Sequence, residues 1–147
     1  MSKETVNRWL VDLHDGLALD ERGRCFFSYG SDDTLKLNVP SDGVSFFLSS
    51  VLVKGPLDQP VQHQALRLNL FQEKTRGGAL AVDDKTGDLV LCFRQRIAEC
   101  DFVLFRNIIA NFAETVTAVR RELMEKAVRA ERKNGAERGL PRHGVFC

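Results

Sequence analysis

Gly78-Ala79-Leu80-Ala81-Val82, Asp83-Asp84-Lys85-Thr86-Gly87, Asp88-Leu89-Val90-Leu91-Cys92-Phe93-Arg94-Gln95-Arg96-Ile97: two apolar segments flank a polar pentapeptide. This is the pattern of two strands joined by a hairpin. Gly87 stands where the chain must enter the left-handed region to close the loop. So short a link joins antiparallel strands only, because parallel neighbours need a crossover of a dozen residues or more. Thr75-Arg76-Gly77-Gly78 leads the chain into the first of the two strands.

After the hairpin, Asp101 caps the strongest element. Phe102, Phe105, Ile109, Phe112, Val116, Val119 and Leu123 recur at alternating steps of three and four, which predicts a long helix with a continuous apolar seam. From Arg120 to Lys133 the helix turns charged, and Asn134-Gly135 is expected to end it. The remainder, 134–147, carries Gly139, Pro141 and Gly144 and reads as a flexible basic tail. Before the hairpin, Asp58 is a plausible N-cap with Pro60 in the first turn, and a helix is expected to about Gln72. Val61, Ala65 and Leu68 share one of its faces; Leu66 and Leu70 lie on another. A surface helix needs one apolar stripe, so the second requires a cover of its own.

Further upstream come three strands and a helix. Val44 to Val53 is long and apolar on both sides, with Val44, Phe46, Leu48 and Leu52 pointing one way and Phe47, Val51 and Val53 the other. Leu35, Leu37 and Val39 alternate with Lys36 and Asn38, and Cys25 to Tyr29 is aromatic-rich. Residues 3–18 carry Val6, Trp9, Leu10, Leu13 and Leu17 on one helical face. The order is helix, three strands, helix, two strands, helix. It defines an α+β fold, an antiparallel sheet with helices packed against it, in a single domain over 1–133.

Composition narrows the function. The chain has 147 residues, 44% hydrophobic and 28% charged, with a formal net charge of +1. A domain this long buries roughly two-thirds of its unfolded surface and needs no staples. No apolar run approaches the ~18 residues of a membrane span, and from the charged helix at the N-terminus no signal peptide is expected. Cys25, Cys92, Cys100 and Cys147 show no C-x-x-C spacing, and reduced thiols are expected. His14, His63 and His143 are far apart without partners at metal-ligand spacing, so no metal and no cofactor is expected. Phosphate-loop, dinucleotide and nucleophile-elbow patterns are absent, and Asp32-Asp33 and the hairpin acids read as turn polarity. No nucleophile, base and oxyanion hole assemble, so an enzyme is not expected. Arg120 to Arg142 holds eight basic residues against four Glu. A nucleic-acid-associated regulator using this helix is the alternative function, weakened by the interleaved Glu and the near-neutral total charge.

What remains is an apolar surplus. Trp9 and Leu13, Phe26, Phe27, Tyr29, Phe46 and Phe47, and a two-faced middle helix exceed what one sheet face needs. Exposed apolar area of that extent marks a partner, either a second copy or another polypeptide.

Leu68-Asn69-Leu70-Phe71, Thr75 to Asp83 and Thr86 to Leu91, in this element order over roughly 3–130, resemble the class I type III secretion chaperones of the CesT/Tir-chaperone type. The resemblance implies a small bacterial cytoplasmic homodimer without enzymatic activity. Such a chaperone binds the N-terminal region of a secreted effector in extended form and keeps it competent for secretion. It also implies a dimer seam through the middle helix and the following strand, here Val61, Ala65, Leu68, Gly78, Leu80 and Val82. Groove residues for the effector are expected among Trp9, Leu13, Phe27, Tyr29, Leu35, Leu37 and Phe47. A one-residue register error would invert that choice.

Overall fold

The computed structural model describes residues 2–138. Its elements are α1 (Ser2–Leu13), β1 (Arg24–Phe27), β2 (Leu35–Asn38), β3 (Ser45–Val53), α2 (Gln59–Asn69), β4 (Ala79–Val82), β5 (Leu89–Arg96) and α3 (Phe102–Arg138). The strands form one sheet in the order β1-β2-β3-β5-β4, every pair antiparallel. The α+β architecture is the one the sequence predicts. The hairpin β4–β5 docks onto β3 through β5, which leaves β1 and β4 as the two edges.

Residues opposite one another across antiparallel strands share a face. Leu37 pairs with Leu48, Leu48 with Phe93, Ser50 with Leu91, and Leu91 with Leu80. All but Phe93 are buried, and with Cys25, Phe27, Leu35 and Phe46 they form the floor of the core. The three helices pack on this floor. Phe105 of α3 sits at the junction, its ring 5.3 Å from Trp9 and 5.4 Å from Phe46. Ile109, Phe112, Val116, Val119 and Leu123 continue the seam, all buried. Burying each such side chain is worth ~1.5–3 kcal/mol, so the seam dominates the fold. Phe102–Lys126 is long and apolar enough to cross a membrane by composition, yet its apolar stripe is spent on this core.

Several boundaries differ from expectation. The first helix stops at Leu13 rather than 18, because Gly16 turns the chain at φ +89° and sends Leu17 and Leu19 back onto the core as a loop. The first strand is Arg24–Phe27 and stops short of Tyr29, and Val44 lies exposed before β3 instead of within it. The last helix runs through Asn134-Gly135 to Arg138. A helical glycine costs only about 1 kcal/mol, and no proline blocks the helix before 141. The expected tail 134–147 is therefore helical at its start, and 139–147 lie outside the described residues. Asp58 does cap α2, its Oδ1 accepting the Val61 N–H at 3.2 Å.

Arg120 ties α3 to the sheet. Its guanidinium pairs with the half-buried Asp33 in the β1–β2 loop. It also donates to the carbonyls of Val51 (2.8 Å) and Leu52 (3.0 Å), where β3 bulges. The first cation of the basic stretch is thus engaged inside the domain.

Candidate functional site

The two sheet edges are not equivalent. On β4, Asn69 acts as a peptide mimic: its Nδ2 donates to the Leu80 carbonyl at 2.8 Å and its Oδ1 accepts the Leu80 N–H at 2.7 Å. Two residues earlier, Thr75 Oγ1 donates to the Gly78 carbonyl at 2.7 Å, and the Gly78 N–H donates to the Thr75 carbonyl at 3.0 Å. Gly78 itself is packed so closely that a Cβ would press on Cys92 O and Leu91. Gly78 and Leu80 are thus closed to strand addition.

On β1, Asp20 seals only the first position: its Oδ1 accepts the Arg24 N–H at 2.9 Å, and its own N–H donates to the Arg24 carbonyl at 2.7 Å. Val39 N–H donates to the Gly23 carbonyl, so Gly23, Cys25 and Phe27 bond to β2. By alternation, Arg24 and Phe26 direct their main-chain groups outward. Those of Phe26 have no hydrogen-bond partner among the described residues.

Phe26 also opens the second feature, a sheet face that no described helix covers. Its register places Phe26, Lys36, Phe47, Ser49, Val51, Val90, Cys92 and Arg94 on that face. The Phe26 ring is 56% exposed, with the Arg24 guanidinium and the Lys36 ammonium each 6.0 Å from its centroid. Phe47 is half-buried and Val51 exposed. Burial pushes the Cys92 thiol up, and pushes Cys100 up to about 11, so neither is a poised thiolate at neutral pH.

A third feature is the outer side of α2. Leu66 is 71% exposed and Leu70 65%, and beside them a groove of about 260 Å³ runs between α2 and β4. Leu57, Ala65, Leu80, Val82 and Leu89 line it. A wider cleft of about 460 Å³ lies over α3, floored by Ala110, Ala113 and Ala118 and rimmed by Arg76 and Arg121. No three His, Cys, Asp or Glu side chains converge as a metal would require among the described residues.

The expected site residues fall into distinct places. Trp9, Phe27, Leu35 and Leu37 are buried in the protomer core, and Leu13 and Tyr29 pack partly buried against it. Phe47 alone of that set lies on the open face. Val61, Ala65, Leu68 and Leu80 are buried between α2, α3 and the sheet, and Gly78 is buried just before β4. Val82 is 57% exposed at the groove. The side chains with apolar surface to offer are their neighbours: Phe26 beside Phe27, and Leu66 and Leu70 beside Ala65 and Leu68. Phe26 was legible once Leu35 and Leu37 were taken as inward, because strand pairing then turns Phe27 in and Phe26 out.

Over residues 11–120 the sequence matches the family model of the Tir chaperone protein (CesT) family. A comparison with curated proteins gives no match. Among solved structures, the ExsC–ExsE complex aligns with a TM-score of 0.70 at 20% identity, covering 82% of this chain and 95% of that one. The HopA1–SchA chaperone–effector complex gives 0.67 at 18% identity, covering 81% and 92%. The Yersinia pestis type III secretion chaperone SycH, in complex with a stable fragment of YscM2, gives 0.60 at 11% identity, covering 81% and 99%. The chain belongs to the Tir chaperone protein (CesT) family.

Proposed function

We propose that the helix-free sheet face and the open β1 edge hold the N-terminal segment of a secreted effector in extended form, keeping it soluble and ready for export. The observation that carries this reading is Phe26, which presents an exposed ring and unpaired main-chain groups at one place. An added strand would gain hydrogen bonds at Phe26, worth about 1 kcal/mol each net. Ordering the segment costs 2–5 kcal/mol or more. Edge bonding alone therefore fails, and apolar contact with Phe26, Phe47 and Val51 supplies the remainder. Lys36 favours client segments with a carboxylate near the docked side chain, whereas the Arg24 guanidinium is already paired with Asp20 at 3.1 Å.

The cycle makes and breaks no covalent bond, so the chaperone acts without enzymatic activity, and it works in the bacterial cytoplasm where its client is made. Leu66 on α2, Leu70 just past its end and Val82 on β4 expose apolar surface, which supports a homodimer. A role on nucleic acid gains no support. Arg120 is bound to Asp33 and two carbonyls, and Glu122 holds Lys74 at 2.7 Å and Lys126 at 2.9 Å. Those two ammonium groups hold the Glu122 carboxyl below its ordinary range.

The test is to mix the purified chain with N-terminal segments of candidate effectors and separate by size. One segment should elute as a soluble complex with the chaperone. Elution of every segment free would defeat the assignment.

A further inference from the structure

The five strands contain four charged residues, Arg24, Lys36, Arg94 and Arg96, and no carboxylate. Register places all four on the helix-free face. Asp20 holds the Arg24 guanidinium at 3.1 Å, and Glu99 lies 3.7 Å from that of Arg96. Lys36 and Arg94 have no carboxylate partner among the described residues. The Arg94 Nε–H donates to Ser45 Oγ at 3.2 Å, which orients its guanidinium over the sheet.

Two aromatic rings alternate with these two cations. Phe26 stands directly opposite Lys36, and Phe47 directly opposite Arg94. Lys36 and Phe47 are diagonal neighbours, because Asn38, two residues after Lys36, pairs with Phe47. From the open β1 edge inward the order is therefore ring, cation, ring, cation. Strands about 4.8 Å apart, with residues two along a strand about 6.7 Å apart, make the successive steps about 5, 8 and 5 Å. Their mean, about 6 Å, is close to the roughly 6.6 Å between same-side residues of an extended chain.

We propose that Lys36 and Arg94 select the client by its sequence. The segment crosses the sheet face obliquely from the β1 edge, and its sheet-facing side chains alternate apolar, acidic, apolar, acidic on Phe26, Lys36, Phe47 and Arg94. The proposal rests on the effector-binding reading above and adds the sequence class that the face reads. Apolar contact is non-directional and fixes no register. Two carboxylates on two fixed cations do fix it, because a one-residue slip turns all four side chains away from the face. Each pair is exposed to solvent, so each is worth only about 1.5- to 5-fold in affinity. Their effect lies in register and in the choice of partner. Single-stranded nucleic acid also uses faces of aromatic and cationic side chains. It is the poorer fit here, since Asp20 and Glu99 already hold two of the four cations and the chain has a net charge of only +1. The main-chain groups of Phe26 at the edge, moreover, offer a donor and an acceptor suited to a peptide.

The experiment is selection of random short peptides, displayed on phage, against the immobilised full chain and its Lys36→Glu, Arg94→Glu and Phe26→Asp variants. Circular dichroism should show all of them folded, because none of these side chains is buried. The wild type should enrich peptides with two acids four positions apart and an apolar residue midway between them. Lys36→Glu should exchange one of the acids for Lys or Arg, and Arg94→Glu the other. In titrations, replacing either acid of a selected peptide by Gln should weaken binding about 1.5- to 5-fold. Peptides that need Phe26 but carry no preferred acid overturn the selection by Lys36 and Arg94 and leave the effector-binding face standing. The same acids enriched by both charge-reversed variants do likewise. A pool with no enrichment, or one that Phe26→Asp retains unchanged, removes the face from the client site and overturns both. Displacement of the selected peptides by an oligothymidylate single strand makes the face a nucleic-acid site and overturns the proposal.

Discussion

Phe105→Ala is expected to cost about 3–5 kcal/mol of folding stability, a large part of the 5–15 kcal/mol a domain this size has in total. The ring is fully buried and joins three layers, with Trp9 of α1 above it and Phe46 of β3 below. Truncation removes both aromatic contacts and leaves a void that α3, pinned by Arg120 to the sheet, cannot close. Trp9→Asp should do as much damage, since it places a carboxylate in the same junction. Urea unfolding monitored by circular dichroism reads both: a midpoint fallen by more than 1 M, or no folded baseline, is the expected outcome. A midpoint within experimental scatter of the wild type would show that this junction is not the centre of the core.

Phe26→Asp is expected to lower client affinity by about 30-fold or more while leaving the fold intact. The two effects separate because the ring is mostly in water before the client arrives, so the protomer loses little when it goes. The substitution removes the docking surface and sets a carboxylate beside Lys36, which would then pair with it instead of with the client. Phe47→Asp should weaken binding in the same direction and cost some stability, because that ring is half-buried. Isothermal titration of a client segment against each variant, beside their melting temperatures, is the measurement. Unchanged affinity in Phe26→Asp would remove this face from the client site.

The fold was legible where one signal dominates. The seam from Phe105 to Leu123 and the Asp83–Gly87 loop each admit one reading, and the structure has both. Asp58 was legible as a cap for the same reason. The site was less so, because it depends on which side of a strand or helix faces out. Phe26 and Phe27 are identical in composition and opposite in role. Only their pairing with Lys36 and Leu35 separates them. Likewise the apolar surplus was visible in α2, but Val61, Ala65 and Leu68 go to the protomer core, and Leu66 and Leu70 stay outside. The closing of Leu80 by Asn69 was out of reach, since it needs a side-chain amide eleven residues from the strand position it mimics to arrive at bonding distance. The end of α3 was not legible, because Asn-Gly is a frequent stop and not an obligatory one, and the helix runs through it to Arg138.

Hydrogen exchange of the chaperone with and without a bound effector segment tests where the cargo lies. New protection is expected at the Phe26 amide, with smaller gains along β3 around Phe47 and Val51, and none at Leu80, whose amide Asn69 already holds. Protection confined to α1 or to the cleft over α3, with the Phe26 amide exchanging as in the free protein, would contradict it.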